Sequence, residues 1–191
     1  CVLITRKKNG GKGKALADGV RKADELGLTH VLQIDSDGQH DAERVGHFVE
    51  VSKKNPEAII CAYPEYDESA PKHRVNGRTI ANAWIHTVTL SKQIKDGMIG
   101  FRIYPVAPYV KLLNSHAIID ARMGYDIDIL VRLFWKNVPI ICESVKVTYP
   151  VDGVSNFRVV RDNARISLTY ARLFLGMIVR LPILIYRKVK R

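Results

Sequence analysis

The residues best suited to chemistry form an acidic turn, in which Asp35 and Asp37 are separated by one residue and Gln39 follows. Two carboxylates at this spacing can present oxygen atoms to one hard divalent cation, and that cation can bridge two phosphates. Gln39 would add a neutral oxygen ligand. Acidic turns also cap following helices, so both interpretations stay open on spacing alone. No glutamate completes a twelve-residue loop starting at Asp35, which excludes an EF-hand.

A glycine-rich basic segment, residues 9–14, lies upstream of the acidic turn and directly precedes a segment with helical spacing. Its residues match neither the G-x-x-x-x-G-K-[ST] nor the G-x-G-x-x-G pattern of phosphate-binding loops. Backbone amides at the start of a helix still attract anions, and Lys12 would add a positive charge there. A phosphate contact and a glycine turn with solvated lysines are equally compatible with this segment.

The elements that must position these residues alternate between short apolar segments and segments with helical spacing. We expect strands at residues 1–5, 30–34, 58–62 and 139–149, and helices at residues 15–26, 42–54, 80–90 and 125–135. Strands that are apolar on both sides predict an α/β fold with a mostly parallel sheet and helices on both faces. Ligands bind at the carboxyl ends of strands in such sheets, and the acidic turn stands at that position.

Polar segments separate the later elements. Residues 63–78 contain two prolines and mixed charges, and we expect a mobile loop there. Residues 97–104 are predicted to be extended, and residues 151–156 to form a turn-rich loop.

Charge and cysteine content narrow the class of partner. Thirty Lys and Arg against nineteen Asp and Glu give a net charge of +11 over 191 residues, which favours phosphorylated molecules or anionic lipid. The first basic cluster has no interleaved aromatic residues, and no zinc-finger or RNA-binding signature occurs, so we expect no nucleic-acid partner. Cys1, Cys61 and Cys142 lack metal-site spacing and predict free thiols in a reducing compartment.

Four segments, in order, resemble motifs of glycosyltransferase family 2, which has the GT-A fold. They are N-G-G-K-G-K-A at residues 9–15, D-S-D-G-Q at 35–39, G-F-R at 100–102 and Y-D-I-D-I-L-V-R-L at 125–133. The resemblance spans roughly residues 1–158, and the most similar subgroup transfers sugars to polyprenyl phosphate or dolichyl phosphate. It implies a Rossmann-like GT-A domain over residues 1–160.

The resemblance implies a role for each matching position. Asp35, Asp37 and Gln39 would hold Mg²⁺ or Mn²⁺ against the diphosphate of a nucleotide-sugar donor, and Asp126 stands where the family carries its catalytic base. Tyr125 replaces the glutamate that usually precedes this aspartate, which a lipid-phosphate acceptor tolerates because phosphate is already ionised near neutral pH. The residues expected at the donor or at phosphate are Lys12, Arg74, Arg78 and Arg102, and those expected on the acceptor side are Asp96, Gly100, Ser155 and Arg158. A structural ion pair is the equal alternative for Arg102.

The C-terminal segment, residues 161–191, is predicted to be a helical tail at a membrane surface. Its apolar stretch is interrupted by Arg172, Arg180 and Pro182, which disfavours a full span. An amphipathic interfacial helix, held on anionic headgroups by the basic residues of 187–191, fits better. The alternatives are packing against the domain or against a second copy in a homodimer. We therefore expect a peripheral or monotopic protein on the cytoplasmic face of a membrane.

The resulting hypothesis is an inverting hexosyltransferase of cell-envelope biosynthesis. It would move a sugar from a nucleotide-diphosphate sugar to a lipid phosphate or membrane-linked glycan, with metal-assisted departure of the nucleoside diphosphate. The alternatives are a catalytically inactive, membrane-associated protein with the same fold and, more distantly, a nucleotidyltransferase. The family's first strand and base-reading acidic residue have no match, which predicts one β-α-β unit of ~40 residues upstream of Cys1. For Asp126 and Asp128, a solvated helix face or a helix-dipole contact is the alternative to catalysis.

Overall fold

The computed structural model describes residues 3–35, 41–66, 72–147 and 159–190. Its elements, in chain order, are α1 (Lys12–Glu25), β1 (His30–Gln33), a 3₁₀ helix (Ala42–Arg44), α2 (Val45–Lys54), β2 (Ile59–Tyr66), α3 (Lys72–Thr89), β3 (Arg102–Pro105), α4 (Val106–Leu113), α5 (Tyr125–Trp135), β4 (Ile140–Val147) and α6 (Val159–Lys190). The predicted α/β class is confirmed.

The four strands form one sheet in the order β1-β3-β2-β4. β3 runs antiparallel to both β1 and β2, and β2 runs parallel to β4. Two of the three pairings described are therefore antiparallel, which differs from the mostly parallel sheet that we expected. The reason is the path of the chain. Because β3 begins with Arg102 opposite Gln33, at the edge where β1 ends, it must run back between its neighbours.

Side chains alternate between two cores on opposite faces of the sheet, as the pleat of a strand requires. Ile59 and Cys61 of β2 belong to a core formed with α1, α3, α4, α5 and α6. Ile60 and Ala62 belong to a second core under α2, where Phe48 stacks on Phe101 with ring centroids 4.3 Å apart. The expected placement of helices on both faces is therefore confirmed.

Two predicted boundaries are wrong. Residues 63–66, expected in a mobile loop, continue β2, because they pair in register with residues 144–147 of β4. Residues 72–78, expected in the same loop, form the start of α3. α4 was not predicted.

The expected first strand is also absent from the residues that the structure describes there. Leu3 and Ile4 are outside any strand and are 83% and 45% exposed. A strand is stable only when a neighbour satisfies its backbone groups, and none of the described strands pairs with these residues.

The longest helix, α6, has 32 residues and is therefore about 48 Å long. One side packs into the core with α3 and α5 through Tyr170, Leu173, Met177 and Leu184. The other side exposes large apolar residues, which include Phe174, Leu175, Ile178, Val179, Ile183 and Ile185. By length and composition Val160–Lys190 is long and apolar enough to cross a membrane, and 28% of its most apolar window is buried. The division of the chain into a domain over residues 1–160 and a membrane-surface tail over residues 161–191 stays a prediction.

Candidate functional site

Lys12 brings together the two carboxylates that the sequence singled out from distant segments. Its Nζ atom lies 2.6 Å from Oδ1 of Asp35 and 2.7 Å from Oδ2 of Asp126. Lys12 is the first residue of α1, Asp35 follows β1, and Asp126 is in the first turn of α5. The carboxyl end of β1 and the starts of two helices therefore converge on one charged cluster.

Asp126 is held on all sides rather than solvated. Gln33 Nε2 donates to its Oδ1 at 2.7 Å, Lys12 pairs with its Oδ2, and Arg102 Nη1 donates to its backbone oxygen at 2.8 Å. The residue is 6% exposed. The alternative of a solvated helix face is therefore wrong for Asp126, and the carboxylate has one fixed orientation toward the cluster.

The protonated form of Lys12 is stabilised by its two acidic neighbours, Asp35 and Asp126. Burial by itself lowers the pKa of Lys12, but the carboxylates of Asp126 and Asp35 outweigh this effect and raise the pKa above 10.5. Lys12 is therefore positively charged at neutral pH. A lysine between two carboxylates can neutralise them in the absence of a cation and can turn to a phosphate when a cation replaces it.

Gly100 lies directly against Asp35. A Cβ atom at this position would overlap the carboxylate oxygens of Asp35, so only a glycine allows the present approach. The backbone before β3 thus forms a wall of the cluster.

The cap of the next helix is supplied by Asp41, whose side chain accepts from the N–H of Glu43 at 3.0 Å. Asp35 does not take that role.

Asp96 and Arg78 form a second, separate contact. Arg78 Nη1 lies 3.1 Å from Oδ2 of Asp96, while Oδ1 of Asp96 accepts from the N–H groups of Met98 and Ile99, each at 2.8 Å. Asp96 is 1% exposed. It therefore shapes the loop that leads to Gly100. Its place on the acceptor side stays a prediction.

Arg102 lies beneath the cluster. It is 0% exposed, and its Nη1 donates to the hydroxyl of Tyr104 at 3.0 Å as well as to the backbone oxygen of Asp126. The sequence left a phosphate contact and a structural role open for Arg102, and the burial of the guanidinium favours the structural role. Its observed role is to position Asp126.

Tyr125, the departure from the family pattern, belongs to the core. Its hydroxyl is 2.8 Å from that of Tyr109, and its ring occupies the space where a Cβ atom on Gly13 would stand. Burial raises the pKa of Tyr125 to about 12, so the phenol is neutral at physiological pH. Tyr125 therefore fastens α5 to α1 and α4.

Asp128 faces away from the cluster because residues two apart in an α-helix point to opposite sides. It forms an ion pair with Arg132 and accepts from the N–H of Asp120 at 2.8 Å. The residue is 0% exposed, and burial raises the pKa of its carboxyl. Asp128 therefore fixes the segment before α5.

A cavity of about 460 Å³ adjoins Lys12. It is lined by Asn9, Gly11, Lys12, Arg122, Met123, Arg161, Asp162 and Arg165. Sequence reasoning missed its three arginines. The one local signal was the spacing of Arg161 and Arg165, which puts both on one face of a helix. Only the tertiary structure adds Arg122.

Several predicted site residues lie outside the described residues, namely Asp37, Gln39, Ser155 and Arg158. The side chain of Arg74 is also outside them. Among the described residues no group of three His, Cys, Asp or Glu side chains could hold a metal. Asp35 is the one predicted metal ligand whose position is described, and its side chain is 28% exposed beside the cluster.

The chain belongs to the family described as glycosyl transferase family 2, whose profile matches residues 1–116. Comparison with curated protein sequences gave no match. The assignment to the family that the motifs implied is thereby confirmed.

Solved structures support the GT-A fold. The chain is similar to glucosyl-3-phosphoglycerate synthase from Mycobacterium tuberculosis in complex with Mn²⁺ and UDP-glucose, with a TM-score of 0.61 and 14% identity over 92% of this chain and 56% of that one. A complex of the same enzyme with Mn²⁺, UDP-glucose and glycerol 3-phosphate gives a TM-score of 0.59 and 13% identity over 90% and 56%. The chain thus spans little more than half the length of these neighbours.

Proposed function

We propose that this chain is the metal-binding and acceptor-side part of an inverting glycosyltransferase that uses a nucleotide-diphosphate sugar. The observation that carries the proposal is the convergence of Asp35, Asp126 and Lys12 at the carboxyl end of β1. Ligands bind at this end of the strands in α/β sheets. Family membership and the Mn²⁺ and UDP-glucose bound to the structural neighbours support the same choice of donor.

In the proposed reaction an acceptor oxygen attacks the anomeric carbon, and the bond from that carbon to the diphosphate breaks. The residues of this chain act on both sides of that exchange. Asp126, fixed by Gln33 and Arg102, faces the acceptor and can take its proton if the acceptor is a hydroxyl. Lys12 supplies a positive charge beside the departing diphosphate.

Asp35, together with Asp37 and Gln39, would hold Mg²⁺ or Mn²⁺. The fit rests on the carboxylate of Asp35, because a hard cation prefers such oxygen ligands and this side chain is 28% exposed beside Lys12. When bound, the cation neutralises the developing charge on the leaving diphosphate. Lys12 would then be released from Asp35 and would contact a phosphate oxygen.

Transfer assays on the full chain with UDP-glucose and Mn²⁺ test the donor and metal assignment. We expect Asp35→Asn to lower the rate by at least about a hundredfold, because the cation loses a charged ligand. Asp24→Asn on the exposed face of α1 is the matched control and should be neutral. Turnover by Asp35→Asn in the presence of EDTA at the wild-type rate would refute the metal assignment.

The acceptor is proposed to be a lipid phosphate, with a membrane-linked glycan as the alternative. A phosphate is already ionised and needs no base, so Asp126→Asn should keep substantial activity with a polyprenyl phosphate. With a sugar hydroxyl as acceptor, the same variant should be inactive. Measuring the rate of Asp126→Asn on both acceptors therefore separates the two.

The exposed apolar side of α6 supports the proposed membrane contact. Phe174 lies against Trp84 of α3, with ring centroids 6.4 Å apart, so the apolar surface extends from α6 onto a second helix. Basic residues Arg187, Lys188 and Lys190 stand at its end. An apolar side with terminal cations is the pattern of helices that lie on anionic membranes.

Substitution tests this contact better than truncation, because removal of α6 would also remove Tyr170 and Leu173 from the core. We expect the double variant Phe174→Glu with Ile178→Glu to bind vesicles of phosphatidylglycerol and phosphatidylcholine at least about tenfold more weakly. Leu28→Glu with Ile118→Glu places the same charges on exposed apolar residues outside α6 and is the control. Equal binding by all three proteins would refute the membrane contact.

A further inference from the structure

The cavity beside Lys12 has an unusual concentration of positive charge. Arg122 reaches it from the turn before α5, and Arg161 and Arg165 reach it from the first turns of α6. The charge of Lys12 is already paired with Asp35 and Asp126, so among the lining residues the three arginines stand against one acid, Asp162. Like charges repel, so their convergence around an open volume of about 460 Å³ has an electrostatic cost that a bound anion would offset.

The three arginines also differ from other arginines of the chain in their partners. Arg78, Arg132 and Arg172 each lie within ion-pair distance of an aspartate. Within the part of the chain that the structure describes, Arg122, Arg161 and Arg165 make no ion pair and no hydrogen bond through their guanidinium groups. Their donors are therefore available to a ligand, and planar guanidinium groups match the oxygens of phosphate.

The start of α1 forms another wall of the cavity. Gly11 is the N-cap of this 14-residue helix, and no side chain caps it. A Cβ atom on Gly11 would clash with the backbone of Ala121, and its φ of 89° lies in the region that favours glycine. The backbone oxygen of Ala121 accepts from the N–H of Gly13 at 3.0 Å and so takes up one donor of this first turn. The aligned peptide dipoles of α1 still add positive potential on the same side as the arginines.

We propose that this cavity binds a phosphate-type anionic group through Arg122, Arg161 and Arg165. The inference deepens the proposed function and rests on it for the identity of the ligand, which is either the donor diphosphate or the phosphate of the acceptor. It places phosphate recognition on α6 and on the turn before α5, rather than on Arg78 and Arg102, which are engaged by Asp96 and by the core.

Calorimetric titration of the full chain with pyrophosphate in EDTA tests the site without any turnover, so its result is independent of transfer activity. We expect Arg161→Gln with Arg165→Gln to weaken binding by about tenfold for each arginine lost, because charge-assisted hydrogen bonds disappear. Lys54→Gln with Lys111→Gln removes the same charge from exposed sites elsewhere and should change the Kd by less than about twofold.

Titrations with UDP and with glycerol 3-phosphate then identify the source of the phosphate. The double variant Arg161→Gln with Arg165→Gln is the cavity variant. If it binds UDP more weakly but glycerol 3-phosphate as well as the wild type does, the site belongs to the donor. If it loses affinity only for glycerol 3-phosphate, the site belongs to the acceptor. Three results would overturn the inference: no binding of pyrophosphate to the wild type, an unchanged Kd in the cavity variant, or an equal loss in the control. Circular dichroism and thermal unfolding check that each variant is folded.

Discussion

Asp126 and Asp128 stand two residues apart in the first turn of α5, yet the surroundings of the two carboxylates have opposite character. Asp126 shares a partly exposed lysine with Asp35 at the edge of the sheet. Asp128 is closed in by Arg132 and by the backbone of Asp120. Their exposed fractions are nearly the same, at 6% and 0%, so burial does not distinguish them. The groups that each carboxylate contacts distinguish them.

This difference separates a group that a ligand can engage from a group that holds the fold. The lysine beside Asp126 can move to a phosphate, because its side chain is 32% exposed and bridges two acids. The partners of Asp128 are its near neighbours in the chain, Asp120 and Arg132. Neither of them lines the cavity beside Lys12. Substitutions around the first carboxylate should change chemistry, and those around the second should change stability.

The largest effect on the Asp126 side should come from Gly100→Ala. The added methyl group would overlap the Asp35 carboxylate, so Asp35 must leave its contact with Lys12. We expect transfer to fall by at least about a hundredfold, since a displaced catalytic-site group costs that much in rate. Gly19→Ala, where nothing lies within 4 Å of the added group, is the control. Full activity in Gly100→Ala would show that the position of Asp35 is unimportant.

On the other side, Asp128→Ala should mainly destabilise the protein. Loss of the carboxylate leaves Nε of Arg132 and the N–H of Asp120 without their acceptor. Removal of one partner of a buried ion pair typically costs about 3 kcal/mol or more, which urea unfolding would measure. Asp24→Ala on the surface should change the free energy of unfolding by less than about 0.5 kcal/mol. An Asp128→Ala variant with normal stability but no activity would contradict the structural role assigned to Asp128.

The smallest effect is a pH dependence from Lys12. Its pKa in the folded protein is raised above 10.5, so folding favours the charged form. The stabilisation is therefore fully present below pH 10.5 and is lost as the pH rises through the folded pKa. The difference in unfolding free energy between wild type and Lys12→Met should be constant from about pH 7 to 10 and shrink above. Lys111→Met, at an exposed position, should show no such change, and a difference that grows with pH would contradict the assignment.

Sequence periodicity located most of the elements because helices and strands bury side chains with different repeats. The apolar positions of residues 125–135 predicted α5 with its observed bounds, Tyr125–Trp135. Periodicity was least informative where partners decide the conformation. Residues 63–66 are a strand because β4 lies beside them. Leu3 and Ile4 are apolar but are not in a strand, because no described strand lies beside them.

The candidate site shows the same division. Motifs identified Lys12, Asp35 and Asp126, because the chemistry of a charged residue can be read from its type and its neighbours in the chain. They could not distinguish Arg102, which is buried under Asp126, from a surface arginine that contacts phosphate. Nor could they find Arg122 beside Arg161, because the two residues are far apart in the chain and meet only when α6 packs against α5.

The amino-acid sequence by itself determined the family, the α/β class and the identity of the charged residues at the end of β1. The tertiary structure decided which of those charges face one another. Asp126 and Asp128 are of the same type and lie in the same turn of α5, where residues two apart point to opposite sides of the helix. The packing of α1 against α5 decides which side meets Lys12. The physical reason is that the energy of a charge depends on the distance and burial of its partners, and folding alone sets both.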